Sequence, residues 1–460
     1  MTDQKVDIAT VGTSLDLRAI GSELHDRIRR LYPICRSITG NGLRETLRLL
    51  GEEIEIETEE VPTGTAVYDW TVPKEWNIRD AYIKNGDGAR IVDFNSSNLH
   101  VVNYSVPVRE RVTLATLRPH LYSIPEHPDW IPYKTSYYAE NWGFCLTHRQ
   151  LESLREERYE VCIDSSLEDG HLTLGQCVLP GRETDEILFS CHVCHPSLCN
   201  DNLSGVSIAV TLARLLAGVS RRYTYRFLFI PGTIGAITWL ALHEDAAARV
   251  RHGLVLACAG DRGKLTYKRS RSGKAAIDRA VSHVFQRCGE SFDIRDFTPY
   301  GYDERQYCSP GFNLAVGVLS RTPHGCFPEY HTSADNLDFV DPSSLADILE
   351  KCLSILEVLE GDAFYVNRNP KCEPQLGKRG LYANMGGHGG SRDMEVALLW
   401  VLNFSDGAHS LLDIAERSGL AFSLIHAAAD ALVHHDLLDQ LPRVSSSPRL
   451  RGRADRAVAR

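Results

Sequence analysis

The pattern of hydrophobic positions divides the chain into stretches of different secondary structure. Residues 16–50 repeat apolar side chains at helical spacing, which predicts amphipathic helices. Short β-rich runs broken by Pro, Gly and Asn follow between about residues 60 and 140, which predicts a separate small all-β unit. Its predicted strands are residues 66–71, 90–94 and 99–105.

From about residue 160, apolar strands alternate with helices. Four runs are mostly apolar, which is typical of buried strands in a largely parallel sheet. They are residues 186–191, 225–230, 254–259 and 314–319. A helix predicted at 205–217, with Ser204 as its candidate N-cap, connects the first two strands. Strand, crossover helix and strand make a βαβ unit, so this region is predicted to be α/β.

Two short amphipathic helices are predicted near the C-terminus, at 410–417 and 422–435, around a turn at 418–420. The second helix contains no Lys or Arg, so it is poorly equipped to contact phosphates or guanine. We therefore expect this region to serve packing or self-association, as in a homo-oligomer, rather than DNA binding. The Arg-rich tail 443–460 is expected to be disordered.

The composition is that of an ordinary globular protein. The chain has 460 residues, of which 43% are hydrophobic and 24% are charged, and its net charge is −10. An acidic surface argues against extensive nucleic-acid binding, which needs a basic face. No run of about 18 apolar residues occurs, so no contact with a membrane is expected. Thirteen cysteines in so long a chain, without a secretory signal pattern at the start, favour reduced thiols and a cytoplasmic location.

The segment 191–205 is the richest in chemistry. It follows a predicted buried strand and precedes a helix, which is where open α/β sheets bind ligands. It contains His192, His195 and Asp201 together with three cysteines. The cysteines could bind structural zinc, but such a site needs four ligands and no second C-x-x-C pair occurs. A His and Asp set for catalytic zinc is therefore favoured, and we expect no disulfide among the three cysteines.

Three more candidate ligands are predicted near the ends of other strands. Asp261 follows the strand at 254–259. Asp303 precedes the strand at 314–319, and His331 lies in the polar loop after it. Each of these alone is more often a cap or turn residue. Together, on a βαβ scaffold, they are an inventory of ligands for one or two zinc ions.

Several segments resemble the co-catalytic zinc aminopeptidases, whose relatives include mono-zinc glutaminyl cyclases. Within that clan they resemble the aminopeptidase-like proteins of unassigned function that end in a winged helix. The segments are residues 194–205, 231–236, 301–314, 327–339 and 370–382. The resemblance implies a mixed, mostly parallel α/β sheet flanked by helices, with a small all-β insert. The implied domains are a catalytic domain (1–58 and 150–368), the insert (59–149) and the winged helix (369–442).

The resemblance also implies a ligand set. His192 matches the histidine that ends the clan's first strand, with His195 as a neighbouring alternative. Asp201 matches the aspartate that bridges two zinc ions. His331 matches the late histidine that binds the other zinc. The clan's further carboxylate ligand corresponds to Asp261, or else to Asp303.

One departure from the clan concerns its general base. The clan places a glutamate after its second strand, but this chain reads Pro231-Gly232-Thr233 there. Glycine cannot take a proton, and loss of a positioned base typically costs about 10²–10⁴ in rate. Threonine also leaves one metal position without a carboxylate, so one tight zinc ion is expected rather than two. Glu329 and Asp303 are the candidate catalytic residues in its place.

Three functions follow from these expectations. The first is a zinc hydrolase that acts on a peptide or amide bond in a small molecule or short peptide, with Tyr302 and Arg305 orienting the substrate. The second is zinc-dependent acyl transfer or cyclisation on a natural-product or sugar intermediate, because the missing base suits attack by an amine. The third is a catalytically inactive, metal-binding scaffold. Under the first hypothesis, Gly232→Glu is expected to restore a base.

Overall fold

The computed structural model describes residues 8–381 and 391–442. The helices are α1 (Ile8–Ser14), α2 (Leu17–Leu31), α3 (Asn41–Leu50), α4 (Leu114–Leu117), α5 (His148–Glu152), α6 (Gly205–Ala217), α7 (Ile234–Leu242), α8 (Glu244–Ala247), α9 (Ala276–Phe285), α10 (Glu304–Tyr307), α11 (Pro342–Gly361), α12 (Ser391–Phe404), α13 (Leu411–Ser418) and α14 (Phe422–His434). The strands are β1 (Glu57–Pro62), β2 (Ala66–Val67), β3 (Trp70–Thr71), β4 (Glu75–Lys84), β5 (Arg90–Asp93), β6 (Val108–Thr113), β7 (Leu121–Tyr122), β8 (Phe144–Cys145), β9 (Arg158–Glu168), β10 (His171–Leu179), β11 (Glu186–His192), β12 (Thr224–Ile230), β13 (Val250–Leu256), β14 (Leu265–Lys268), β15 (Phe292–Arg295), β16 (Val316–Ser320), β17 (Phe364–Asn367), β18 (Asp406–Ser410) and β19 (Leu438–Gln440).

The largest sheet has eight strands in the order β1-β10-β12-β11-β13-β16-β14-β15. Its four central strands, β12, β11, β13 and β16, run parallel to one another. The pairs β1 with β10, β10 with β12, and β14 with β16 are antiparallel. The predicted mixed α/β sheet is confirmed. Because the central strands are parallel, their carboxyl ends meet at one edge, and the candidate site lies there.

Strand β11 is central because both of its faces are apolar. Ile187 and Phe189 join a hydrophobic cluster with helices α2, α6, α9 and α11, whereas Leu188 joins a second cluster with α7. Helices therefore cover both faces of the sheet, and every residue of β11 is buried. Ser204 precedes α6 as expected, but its hydroxyl donates to the carbonyl oxygen of Asn200 and does not cap the helix.

The small all-β unit is a four-stranded antiparallel sheet in the order β5-β4-β9-β6, beside the hairpin of β2 and β3. Its longest strand, β9, comes from residues 158–168, which lie beyond the predicted end of the insert at residue 149. The strand predicted at 99–105 does not form. A short helical turn at 98–100 and a β-bridge between Val101 and Phe144 take its place.

The C-terminal unit is a winged helix. Helices α12, α13 and α14 pack on a three-stranded sheet in the order β18-β17-β19. The helices predicted at 410–417 and 422–435 form as α13 and α14. Strand β17 precedes residue 369, where the sequence places the boundary of this unit. The tail 443–460 lies outside the described residues, and none of the described helices is long and apolar enough to cross a membrane.

Candidate metal centre

The site begins where β11 ends. His192 is the last residue of that strand, and the loop that follows leads into an irregular helical segment at Cys199–Ser204. Asp201 has φ −111° and ψ 84°, which is not helical, so its side chain leaves the helical path. Asp201 is fully buried and faces His192 across the loop.

Three histidines converge on the two oxygens of Asp201. Nε2 of His192 lies 2.7 Å from Oδ1, and Nε2 of His331 lies 3.0 Å from Oδ2. Nε2 of His195 lies 3.8 Å from Oδ2. The structure thus brings Asp201 and His331, two members of the implied ligand set, into contact.

The charge states of this cluster suit a bound cation. Burial alone would raise the pKa of Asp201, but the imidazoles of His195 and His192 hold that pKa well below its usual range. Burial lowers the pKa of His195 well below its usual value, so its imidazole is neutral. Neutral imidazole and carboxylate are the forms in which these side chains bind metals.

The donor set fits zinc. One ligand atom from each of His192, His195 and Asp201 can be chosen so that all lie within 4.8 Å of one another. The mixture of nitrogen and carboxylate-oxygen donors is the one that zinc takes in catalytic sites. His331 approaches the same carboxylate from a distant part of the chain. These four residues would hold the ion.

Hydrogen bonds to backbone N–H groups fix the position of the segment that carries Asp201. The Asp335 carboxylate accepts hydrogen bonds from the backbone N–H groups of Asn200 (2.6 Å) and Asp201 (2.9 Å). The Asn200 side chain donates to Asp261 and accepts from the N–H group of Gly260. Sequence reasoning missed Asp335 and Asn200, although both belong to the segments that carry the family resemblance.

The loop that carries His331 is fixed by the insert. The N–H group of Tyr133 donates to the carbonyl oxygen of His331 at 2.7 Å, and its ring packs 5.0 Å from that imidazole and 5.1 Å from His195. His331 has φ +56°, an uncommon conformation for a residue with a side chain. Buried Arg36 donates to the carbonyl oxygen of His195 at 2.8 Å. Nothing in the local sequence pattern marks Tyr133 or Arg36.

Asp303 lies beside Gly232. A Cβ atom built on Gly232 would be 3.5 Å from Oδ1 of Asp303 and 3.1 Å from Cβ of His192. Asp303 is fully buried, neither of its carboxylate oxygens has a hydrogen-bond partner among the described residues, and burial raises its pKa to about 7. The structure therefore places an unpaired carboxyl group where a side chain at position 232 would begin.

Two other predicted site residues, Asp261 and Glu329, do not join the cluster. Asp261 is not in the cluster, because its carboxylate accepts bonds from Asn200, Gly263 and Thr322 instead. Glu329 contributes its backbone carbonyl to the turn with Thr332, and no bond joins its described side chain to the cluster.

Tyr302 and Arg305 lie on the other side of the centre. Tyr302 stacks on His192 at 4.6 Å, and its hydroxyl group donates to Asp201. Arg305 is close enough to Asp303 to oppose the rise in the pKa of that carboxyl, and its buried Nε has no hydrogen-bond partner.

The cysteines of this segment are free and buried. Burial raises the pKa of Cys191 well above its usual value and raises that of Cys194 to about 12. Such thiols are protonated at neutral pH, whereas zinc binds thiolates. The local chemistry thus favours the His and Asp set.

A cavity of about 460 Å³ adjoins the cluster. Tyr302 and Tyr330 line it, and the ring of Tyr330 stacks on His331 at 3.9 Å. The rest of its wall contains both aromatic and charged side chains. A molecule that occupied it would lie one side chain away from the candidate ligands.

Comparison with known proteins places the chain in a family. Residues 25–362 match the model described as "Domain of unknown function (DUF4910)", and residues 363–440 match a winged helix-turn-helix model. A Clostridium acetobutylicum protein named "Putative polysaccharide biosynthesis protein with aminopeptidase-like domain" is 51% identical over 418 residues, which cover 91% of this chain and 96% of that protein.

Known structures agree with that placement. The crystal structure of a "putative peptidase" from Clostridium acetobutylicum has a TM-score of 0.89 at 49% identity, and the match covers 93% of this chain and 98% of that one. The zinc aminopeptidase BSAP from Bacillus subtilis shares the fold, with a TM-score of 0.55 at 10% identity over 73% of this chain and 94% of its own. The chain belongs to the DUF4910 family of aminopeptidase-like proteins with a C-terminal winged helix.

Proposed function

We propose that the protein is a zinc-dependent amidohydrolase that acts on an amide bond of a small molecule or short peptide. One observation carries the proposal: three imidazole nitrogens surround the two oxygens of a single buried carboxylate, Asp201. The fold is the one used by zinc aminopeptidases, which supports a hydrolytic role.

His192, Asp201, His331 and His195 would hold the ion. A bound zinc ion supplies Lewis-acid chemistry, which polarises an amide carbonyl and makes a water molecule more acidic. The protein surrounds the candidate ligands with aromatic side chains. Tyr302 and Tyr133 pack their rings against the histidines, which limits the orientations that the imidazoles can adopt.

Asp303 is the residue that we propose as proton acceptor. Its carboxyl group is buried, has no competing hydrogen-bond partner and lies next to Gly232, where related enzymes carry their base. It can take the proton of the attacking water and return it to the leaving amine, because a single carboxyl group serves as base and then as acid. Arg305 contributes positive charge close to that carboxyl group.

Acyl transfer or cyclisation in a biosynthetic pathway is the second candidate. It is favoured by the name of the Clostridium acetobutylicum relative, which refers to polysaccharide biosynthesis. In that case an amine would take the place of water as the nucleophile. Asp303 would then remove a proton from the amine, so the same residue has a role in both reactions.

The test combines metal content with turnover. Protein purified without chelators is expected to contain zinc, and His331→Ala and Asp201→Ala variants are expected to lose most of it. Wild type is then incubated with a panel of aminoacyl-anilides, dipeptides and N-acetylated amines, with and without an added acceptor amine. Release of free amine supports hydrolysis, and a new amide product supports transfer. A zinc-loaded protein that produces neither is an inactive scaffold, and the proposal would be wrong.

A further inference from the structure

We propose that the cavity beside the metal centre holds a neutral sugar ring, so that the amide attacked at the centre is a substituent of a sugar. This inference rests on the proposed amidohydrolase function and adds the substrate class. It depends on three features of the cavity: its position, its aromatic surface and its charge pairs.

The cavity lies next to the metal centre. Tyr302 and Tyr330 belong both to the cavity wall and to the immediate surroundings of Asp201 and His331. A ring in the cavity therefore lies one aromatic side chain away from the cluster. Its volume of about 460 Å³ falls within the range of small-molecule sites and accommodates a single sugar with its acyl group.

The aromatic surface is built around His324. The imidazole of His324 lies 4.8 Å from the ring of Tyr302, 5.8 Å from that of Tyr300 and 6.4 Å from that of Tyr330. Tyr300 is 75% exposed, so it stands at the open side. Flat aromatic faces suit the C–H face of a saccharide ring, which is apolar although the edge of the ring is polar.

The polar part of the wall contains a charge pair with spare hydrogen-bonding capacity. The Lys268 ammonium group donates to Oε1 of Glu304 at 2.8 Å and to the carbonyl oxygen of Tyr300 at 2.7 Å. An ammonium group has three donors, so one is left over. Glu304 is fully buried, and its Oε2 has no hydrogen-bond partner within the part of the chain that the structure describes. A donor and an acceptor therefore lie side by side.

The remaining charges of the wall are also paired. Arg295 bonds Asp293 at 2.7 Å, and Asp296 bonds Arg269 at 2.9 Å. A cationic group on the bound molecule would be repelled by the ammonium group of Lys268, and an anionic group would be repelled by Glu304. An apolar side chain would satisfy neither. Hydroxyl groups both donate and accept, so a neutral hydroxylated ring can accept a hydrogen bond from the free N–H group of Lys268 without bringing a charge next to Glu304.

The experiment compares ligands that share an amide and differ in the ring. The probes are the methyl glycosides of N-acetylglucosamine, N-acetylgalactosamine and N-acetylmannosamine, and N-cyclohexylacetamide is the ring without hydroxyl groups. Binding to the zinc-loaded protein is measured by calorimetry. At least one glycoside is expected to bind at least about tenfold more tightly than the cyclohexyl compound. Equal or weaker binding of all three would overturn the inference.

Variants test which groups recognise the ring. Lys268→Met and Tyr300→Ala are each expected to reduce the preference for the glycoside at least about fivefold. Lys264→Met, an exposed change four residues away, is expected to leave it unchanged. Tyr300 is exposed, so its variant reports on binding even if Lys268→Met folds poorly. Unchanged preference in both variants would contradict the assignment.

Turnover separates this inference from the function on which it rests. Hydrolysis of peptides or anilides without glycoside binding would keep the amidohydrolase and overturn the sugar site. Glycoside binding without turnover of any amide would keep the sugar site and overturn the amidohydrolase. Release of acetate from a bound glycoside supports both.

Discussion

The hydroxyl group of Tyr302 donates a 3.0 Å hydrogen bond to Oδ1 of Asp201, the same oxygen that lies 2.7 Å from Nε2 of His192. The Tyr302 ring also stacks on the His192 imidazole. One side chain thus orients both the carboxylate and the histidine. Groups that orient metal ligands in this way typically change metal affinity when they are removed.

Tyr302→Phe tests that role. The ring is kept and the hydroxyl group is lost, so Oδ1 of Asp201 loses a donor while the stacking on His192 remains. We expect the dissociation constant for zinc to rise about tenfold to a hundredfold. It is measured by competition with a chromogenic chelator. Tyr300→Phe, on the same loop but exposed, is the control, and equal affinity in the two variants would contradict the prediction.

Asp303→Asn tests the proton acceptor. The amide has nearly the same shape but cannot accept the proton, so turnover is expected to fall about 10²–10⁴-fold while zinc content is unchanged. Gly232→Glu in the same chain is expected to restore at least about tenfold of that loss. Gly232 is not in a left-handed conformation, and a Cβ atom there makes one tight contact, 3.1 Å from Cβ of His192.

The single variant Asp303→Asn also distinguishes other roles for this residue. If Asp303→Asn retains full turnover, the base lies elsewhere and Glu329 becomes the next residue to replace. If Asp303→Asn loses zinc, Asp303 is itself a ligand. Gly232→Ala serves as the control for strain, because it places only the Cβ atom 3.1 Å from Cβ of His192.

Asp335→Asn tests how the Asp201 loop is held. The carboxylate of Asp335 accepts two backbone N–H bonds, and an amide would turn its own N–H groups toward one of those donors. We expect zinc affinity to fall about tenfold to a hundredfold with little change in secondary structure. The check is zinc content after dialysis. Asp338→Asn, exposed on the same loop, should behave like wild type.

His252 gives a prediction for pH. Burial, helped by the nearby guanidinium groups of Arg222 and Arg251, lowers the pKa of His252 to about 3. The unfolded chain takes up this proton first, near pH 6.5, so the contribution to stability is complete above that pH and is lost as the pH falls toward 3. The loss is about 1.4 kcal/mol per pH unit.

Denaturation curves of wild type and His252→Gln at two pH values check this prediction. Between pH 7.5 and 5.0, the free energy of unfolding of wild type should fall by about 2 kcal/mol more than that of His252→Gln. The exposed His434→Gln should follow wild type at both pH values. Parallel curves for wild type and His252→Gln would show that His252 does not titrate in this way.

The positions of His192 and Asp201 could be predicted because strand ends can be read from the sequence. Strand β11 is mostly apolar and buried throughout, so its end and the loop after it follow from the pattern. Asp261 shows the limit of that reasoning. The strand before it ends at Leu256, earlier than predicted, and the chain then turns so that Asp261 faces Thr322.

Groups that depend on contacts between distant segments could not be predicted. Tyr133 meets His331 from 198 residues away in the chain, and no periodicity encodes that distance. The pairing of Lys268 with Glu304 likewise depends on strand β14 and helix α10, which meet only in the folded protein. Asp303 was recognised by its residue type, but its position beside Gly232 needed coordinates.

The hydrogen bonds between the insert and the His331 loop link metal binding to the folded state of the protein. Ile131 and Ser333 exchange hydrogen bonds of 2.9 and 2.8 Å next to the contact between Tyr133 and His331. The position of His331 beside Asp201 is therefore coupled to the docking of the insert. Zinc retention in a preparation then measures how many molecules have made this contact between distant segments, which a spectrum of secondary structure would not reveal.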